Sequence, residues 1–131
     1  MIVRLGLWIP PILYMILIFR TSSVSEPMPA VTAHVWDKLL HMGGFGFLAV
    51  LFYRAYDGEG AGWRIAAMLA LVSTSLYGAS DEWHQAFVPL RTADVADWIA
   101  DTTGGALAIL LYALIRLYVG RINLDADGLP D

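Results

Sequence analysis

Three short stretches concentrate residues that could do chemistry: WDKLLH (36–41), SDEWHQ (80–85) and RTADVADWIAD (91–101). In the first, Asp37 and His41 stand four apart and Lys38 and His41 three apart, so a helix would put each pair on one face. In the second, helical geometry groups Asp81 with His84 and Gln85, and sets Glu82 close to Gln85. A carboxylate beside a histidine is the pairing of general acid/base catalysis or of a metal site. It is equally the material of a hydrogen-bond network at a helix end. In the third stretch, Asp94, Asp97 and Asp101 fall at i, i+3 and i+7 and share a helix face.

Taken together, Asp37, Lys38, His41, Asp81, Glu82, His84, Gln85, Arg91, Asp94, Asp97 and Asp101 are six acids, two bases, two histidines and an amide. Such an excess of carboxylates requires a cation, an ion pair or protonation. Either Lys38 and Arg91 tie down part of the cluster, or a divalent cation completes it. His41, Glu82, Asp97 and Asp101 are the candidate metal ligands, with donors suited to Zn²⁺, Mn²⁺ or Mg²⁺. A further option is that Lys38 and Arg91 hold a lipid phosphate, Arg91 through its fork of donors. His41 and Glu82 are the candidates for acid/base catalysis. Plainer roles exist for some members. Asp37 would favour a helix N-terminus, Lys38 would snorkel to headgroups, and Thr92 or Asp94 could cap a helix. Asp101 is harder to assign to solvent, because it lies about one turn inside an apolar segment.

The elements that must position these residues are apolar. Hydrophobic residues make up 58% of the 131 and charged residues 15%, with a mean hydropathy of +0.61. Soluble domains run nearer 45–50% apolar and about 25% charged. Four apolar segments, 5–19, 39–53, 63–80 and 98–119, each approach the roughly 20 residues a bilayer needs. The expectation is an all-α integral membrane bundle of four transmembrane helices, forming one domain over 1–120, with a short, polar, mobile tail over 121–131. Pro10 and Pro11 should kink the first helix or leave its early turns irregular. They also interrupt the apolar run a cleaved signal peptide would need, so that segment reads as a retained helix.

With four spans, Arg4, Arg54, Arg64, Arg116 and Arg121 share one side, and Arg20, Lys38 and Arg91 the other. The bias predicts both termini in the cytoplasm. The loops over 20–38 and 81–97 then face outward together, which makes one site of the polar stretches. GGFG (43–46), YGAS (77–80) and TTGG (102–105) are small-residue patches that let helices approach at the same level. A net charge of −4 without a basic tract argues against nucleic acid as a partner. The absence of cysteine removes disulfides, thiolate metal sites and a cysteine nucleophile.

The order and spacing of FRTSS (19–23), DKLLH (37–41) and DEWHQAFVPLRTADVADWIADTTGG (81–105) resemble the VanZ-like family of small bacterial membrane proteins. The resemblance extends over roughly 5–119 and departs at Asp101, where the family pattern usually has Asn. It implies a four-helix protein of the bacterial cytoplasmic (inner) membrane, associated at the cell envelope with glycopeptide resistance, teicoplanin more than vancomycin. It carries Asp37, Lys38, His41, Glu82, Gln85, Arg91 and Asp97 over as characteristic polar residues, without an established reaction. Three functions stand open. The polar site binds membrane lipid, a lipid-linked cell-wall precursor or a lipoglycopeptide. Or it is an enzyme site, metal- or acid/base-dependent, acting on a lipid-linked phosphate. Or it is a purely structural cluster.

Overall fold

The computed structural model describes residues 2–25 and 34–127, and the side chains of 4–25 and 37–121. Four helices follow one another: α1 (Ile2–Ser22), α2 (His34–Gly58), α3 (Trp63–Gln85) and α4 (Val95–Asp127). They alternate in direction, because the start of α1 meets the end of α2 and the start of α2 meets that of α4. Arg4 and Trp8 reach Glu59 at one end, and Arg116 pairs with Asp57 there at 2.6 Å. Lys38 meets Asp94 and Asp97 at the other end.

Three helices, α1, α2 and α4, are long and apolar enough to cross a membrane. Their outward surfaces support that reading: Leu5, Ile12, Leu13, Ile16, Leu111 and Leu117 are all at least half exposed. A soluble protein would bury such a surface. The expected fourth span, α3, is long enough, since its 23 residues extend about 34 Å. It falls short of the other three in apolarity because Ser73, Thr74 and Ser75 interrupt it and Asp81, Glu82, His84 and Gln85 close it.

Helix α2 occupies the centre and packs on each of the other three, whereas α1 and α4 do not meet among the described residues. Its residues Phe45, Leu48, Ala49, Phe52 and Tyr53 form the middle of the core, against Ile18 of α1, Ala66 and Ala70 of α3 and Ile109 of α4. Small residues set the spacing: Gly46 of α2 faces Gly104 and Ala108 of α4. Contrary to the expectation of irregular early turns, α1 runs unbroken from Ile2 through Pro10 and Pro11. The prolines remove two helix donors, which frees the carbonyls of Gly6 and Leu7.

Each helix extends past its apolar segment into polar residues. Helix α2 begins before Asp37, α3 ends at Gln85, and α4 continues to Asp127, into the segment read as a tail. Residues 26–33, in the expected first loop, and 128–131 lie outside the described residues.

Candidate functional site

The polar ends of α1, α2, α3 and α4 converge at one end of the bundle. Its foundation is the start of α4. The Asp94 Oδ1 atom accepts the Ala96 N–H at 2.8 Å, so Asp94, not Thr92, caps this helix. Its other oxygen accepts from Lys38 Nζ at 2.7 Å, and the same ammonium donates to Asp97. Lys38 thereby pins the start of α4 to α2. The backbone N–H of Asp94 donates to Glu82 Oε2 at 2.7 Å, which ties in the end of α3.

One turn deeper, His41 Nδ1 lies 2.9 Å from Asp101 Oδ1. Asp101 is completely buried, and its Oδ2 has no hydrogen-bond partner among the described residues. That oxygen lies against α3 at Gly78, where an added Cβ would stand only 2.9 Å from it. Ligand atoms of His41, Glu82 and Asp101 lie within 4.8 Å of one another, as do those of Asp37, His41 and Asp97. Asp37 is only partly buried, and Asp97 already faces Lys38, so the first of these groups is the deeper.

An adjoining face of α3 meets α1. Gln85 Nε2 donates to Asp81 Oδ2 at 2.9 Å and, at 3.4 Å, to Glu82 Oε1. Ser22 Oγ also donates to Asp81 Oδ2, at 2.9 Å, while Asp81 Oδ1 is buried without a partner among the described residues. His84 stacks on Phe19 with ring centres 4.4 Å apart, and its Nε2 lies 3.0 Å from Ser23 Oγ. Beside them is a cavity of about 330 Å³ lined by Phe19, Tyr77, Ser80, Asp81, Trp83, His84 and Phe87.

Arg91 stands apart from the carboxylates. Leu90 adopts φ +65° in a tight turn closed by the Arg91 N–H on the Val88 carbonyl. Pro89 precedes it, the arrangement of a type II turn. Arg91 is thereby sent to the end of α1, where its Nε donates to the Val24 carbonyl at 3.2 Å and a terminal nitrogen to the Thr21 carbonyl at 3.5 Å. These bonds hold the chain where it leaves α1.

The sequence-selected residues therefore fall into two groups. Asp37, Lys38, His41, Glu82, Asp94, Asp97 and Asp101 gather between α2, α3 and α4, Asp81 and His84 meet α1, and Gln85 links the two groups through Asp81 and Glu82. The resemblance marked Phe19, Ser22 and Ser23 within FRTSS, but sequence reasoning gave them no place in the site, nor Tyr77, Trp83 and Phe87. The two serines at the end of an otherwise apolar helix were the available signal.

Asp94 lies outside the helices. The Lys38 ammonium, with the Ala96 N–H, holds its carboxyl below the ordinary value of 3.8. A lowered folded value means stability present above that pH and lost as pH falls through it. Wild type should melt above Asp94→Asn at neutral pH, and the difference in Tm should shrink once pH drops below 3.8. Thermal melts of both proteins in detergent check this, since Asn retains the capping role. A pH-independent difference would contradict the ion pair.

An uncharacterized protein of the fission yeast Schizosaccharomyces pombe is 32% identical over 102 residues, covering 76% of this chain. The match spans 61% of that relative's length. No solved structure matches the chain. The VanZ/LLP1 family pattern, by contrast, matches residues 7–116, which include most of α1, the whole polar end and most of α4. The chain belongs to the VanZ/LLP1 family.

Proposed function

We propose that this chain is a four-span protein of the bacterial cytoplasmic membrane, both termini inside, whose polar end binds the headgroup of a lipid or lipid-linked envelope precursor. The observation that carries the reading is the cavity between α1 and α3. Phe19, Tyr77, Trp83 and Phe87 give it aromatic faces, and Asp81 and His84 give it hydrogen-bonding groups. Aromatic rings with a polar edge are the usual residents of the membrane–water boundary. Its volume of about 330 Å³ suits a headgroup.

The charges refine the ligand. Lys38 is engaged by Asp94 and Asp97, and Arg91 by the carbonyls of Thr21 and Val24, so neither cation stands over the cavity as a phosphate clamp. Hydroxyls or an amine, stacked on the rings and donating to Asp81 or His84, match this lining better. A lipid headgroup is common to bacterial and fission-yeast membranes, whereas peptidoglycan is not. The yeast relative therefore favours the lipid over the cell-wall precursor. A lipoglycopeptide such as teicoplanin joins sugars to an acyl chain, the same two chemistries, and would engage the same end.

Native mass spectrometry of the detergent-purified protein tests the reading. Wild type should retain one lipid per chain, and Trp83→Ala or Phe19→Ala should lose it, while Trp63→Ala at the opposite end should not. Equal retention by all four would refute the site.

One observation supports a second reading. His41 and Asp101 form a histidine–carboxylate pair with Glu82 beside it. That is an arrangement for acid/base or metal-dependent chemistry on a lipid-linked phosphate. Turnover of such a lipid by the purified protein, lost in His41→Gln, would promote it over binding alone. A change confined to thermal stability in all of these variants would mark the polar end as a structural clasp.

A further inference from the structure

We infer that His41, Glu82 and Asp101 form a binding site for a divalent transition-metal cation. Each comes from a different helix, α2, α3 and α4, and their ligand atoms lie within 4.8 Å of one another. A cluster of acids alone would not carry the assignment, since acids also gather at helix ends. The decisive feature is Asp101. It is wholly buried, its Oδ1 faces His41, and its Oδ2 has no hydrogen-bond partner among the described residues. A buried carboxylate oxygen without a partner is costly and rare. This one points at the face of α3 that carries Gly78 and, one helical turn on, Glu82. A cation held between the carboxylates and the imidazole would satisfy it.

The surrounding contacts resemble the outer sphere of a metal site. Glu82 Oε2 is held by the Asp94 N–H, leaving Oε1 with one long contact of 3.4 Å from Gln85. His41 Nδ1 and Asp101 Oδ1 stand 2.9 Å apart, close enough for both to ligate one ion in place of their hydrogen bond. Outer bonds such as that from the Asp94 N–H fix the orientation of ligating groups. The neighbouring cation, Lys38, sits on Asp94 and Asp97 and supplies no direct bond to Glu82 or Asp101. One imidazole and two carboxylates suit Zn²⁺ or Mn²⁺ better than Ca²⁺, which prefers an all-oxygen shell. The small residues Gly78 and Gly104 bring the three helices close at this level. The site shares no residue with the cavity lining, although Asp81 of that lining adjoins Glu82 on α3. The assignment therefore goes beyond the headgroup reading and does not depend on it.

The test uses the full chain without a histidine tag, purified in detergent and stripped with a chelator. Zn²⁺ or Mn²⁺ is then titrated by calorimetry, with elemental analysis after desalting. One ion per chain and a raised Tm are expected for wild type. Glu82→Gln and Asp101→Asn should each bind more than about 100-fold more weakly, beyond the loss caused by an outer-sphere change. Asp57→Asn, at the opposite end, should bind as wild type, and so should Trp83→Ala, which separates this site from the cavity. Pulsed EPR of Mn²⁺-loaded wild type should show imidazole nitrogen coupling, a readout that needs no variant to fold. Absence of stoichiometric metal in wild type would overturn the assignment. So would undiminished binding by Glu82→Gln and Asp101→Asn, or a bound Mn²⁺ without nitrogen coupling.

Discussion

Replacing Gly104 with alanine should unfold much of the bundle. A Cβ at this position would overlap the backbone of Met42 on α2. Backbone cannot swing aside as a flexible side chain can, so α2 and α4 would have to separate. Overpacking of this kind costs roughly 3 kcal/mol, and more when backbone must move. Membrane helices associate through close packing, so the contact is not replaced by a hydrophobic gain elsewhere. The damage would reach the site, because Met42 follows His41 and Gly104 lies one turn beyond Asp101. A graded series makes the expectation specific. Alanine at Gly46 would stand 3.1 Å from the Gly104 carbonyl and 3.2 Å from Ala108, a smaller intrusion. At Gly105 the nearest atoms are side-chain methyls at 3.3 and 3.4 Å, smaller again. Gly6, Gly43 and Gly120 face open space, and alanine there should raise stability by about 0.5–1 kcal/mol through the helix backbone. Thermal melts followed by circular dichroism in detergent would rank the series. A wild-type Tm for Gly104→Ala would contradict the α2–α4 contact.

The second large effect belongs to His41. Removing the imidazole in His41→Leu leaves Asp101 with both oxygens unpartnered in a fully buried position. Breaking a buried pair from one side typically costs 3–5 kcal/mol, roughly, because the remaining charge has lost its compensation. Asp101→Asn should be milder, since an amide carries no charge. The double variant His41→Leu/Asp101→Leu should recover most of the stability lost in His41→Leu, since an apolar pair of similar volume replaces an ionic one at little net cost. A double-mutant cycle in chemical denaturation measures the coupling. If the double variant were as unstable as the sum of the singles, the two residues would not be acting on each other. A stable double variant that has lost ligand or activity would separate the pair's functional role from its structural one.

Much of this architecture was legible in the chain, and the reasons are specific. The apolar runs 39–53, 63–80 and 98–119 lie inside α2, α3 and α4 because apolar surface must meet either lipid or core. They understate the helices because the polar turns at their ends are helical too. Those turns hold because Lys38, Glu82 and Asp94 satisfy one another across helices, which a window along one segment does not register. The grouping of DKLLH with the acids of α4 followed from alternating helices. The separate course of Arg91 did not. It depends on Leu90 adopting a left-handed backbone that glycine more often provides, a choice made by the turn as a whole. The facing of His84 toward α1 was likewise hidden, since helical spacing groups it with Asp81 without saying which neighbour both meet. Apolarity alone sets α3 apart from the other three helices. Two of its serines and its acidic end are turned to partners inside the bundle, where Ser73 meets Tyr56 and Ser75 meets Thr102.

The central claim is a headgroup site at the polar end of the bundle, facing outward. Its most direct test is photo-crosslinking with a lipid carrying a diazirine on its headgroup, added from outside to intact spheroplasts so that it enters the outer leaflet. The account predicts crosslinks mapped by mass spectrometry to Phe19, Trp83 and Phe87. Crosslinks concentrated instead around Tyr53, Trp63 and Leu117, which line a cavity at the opposite end, would contradict it.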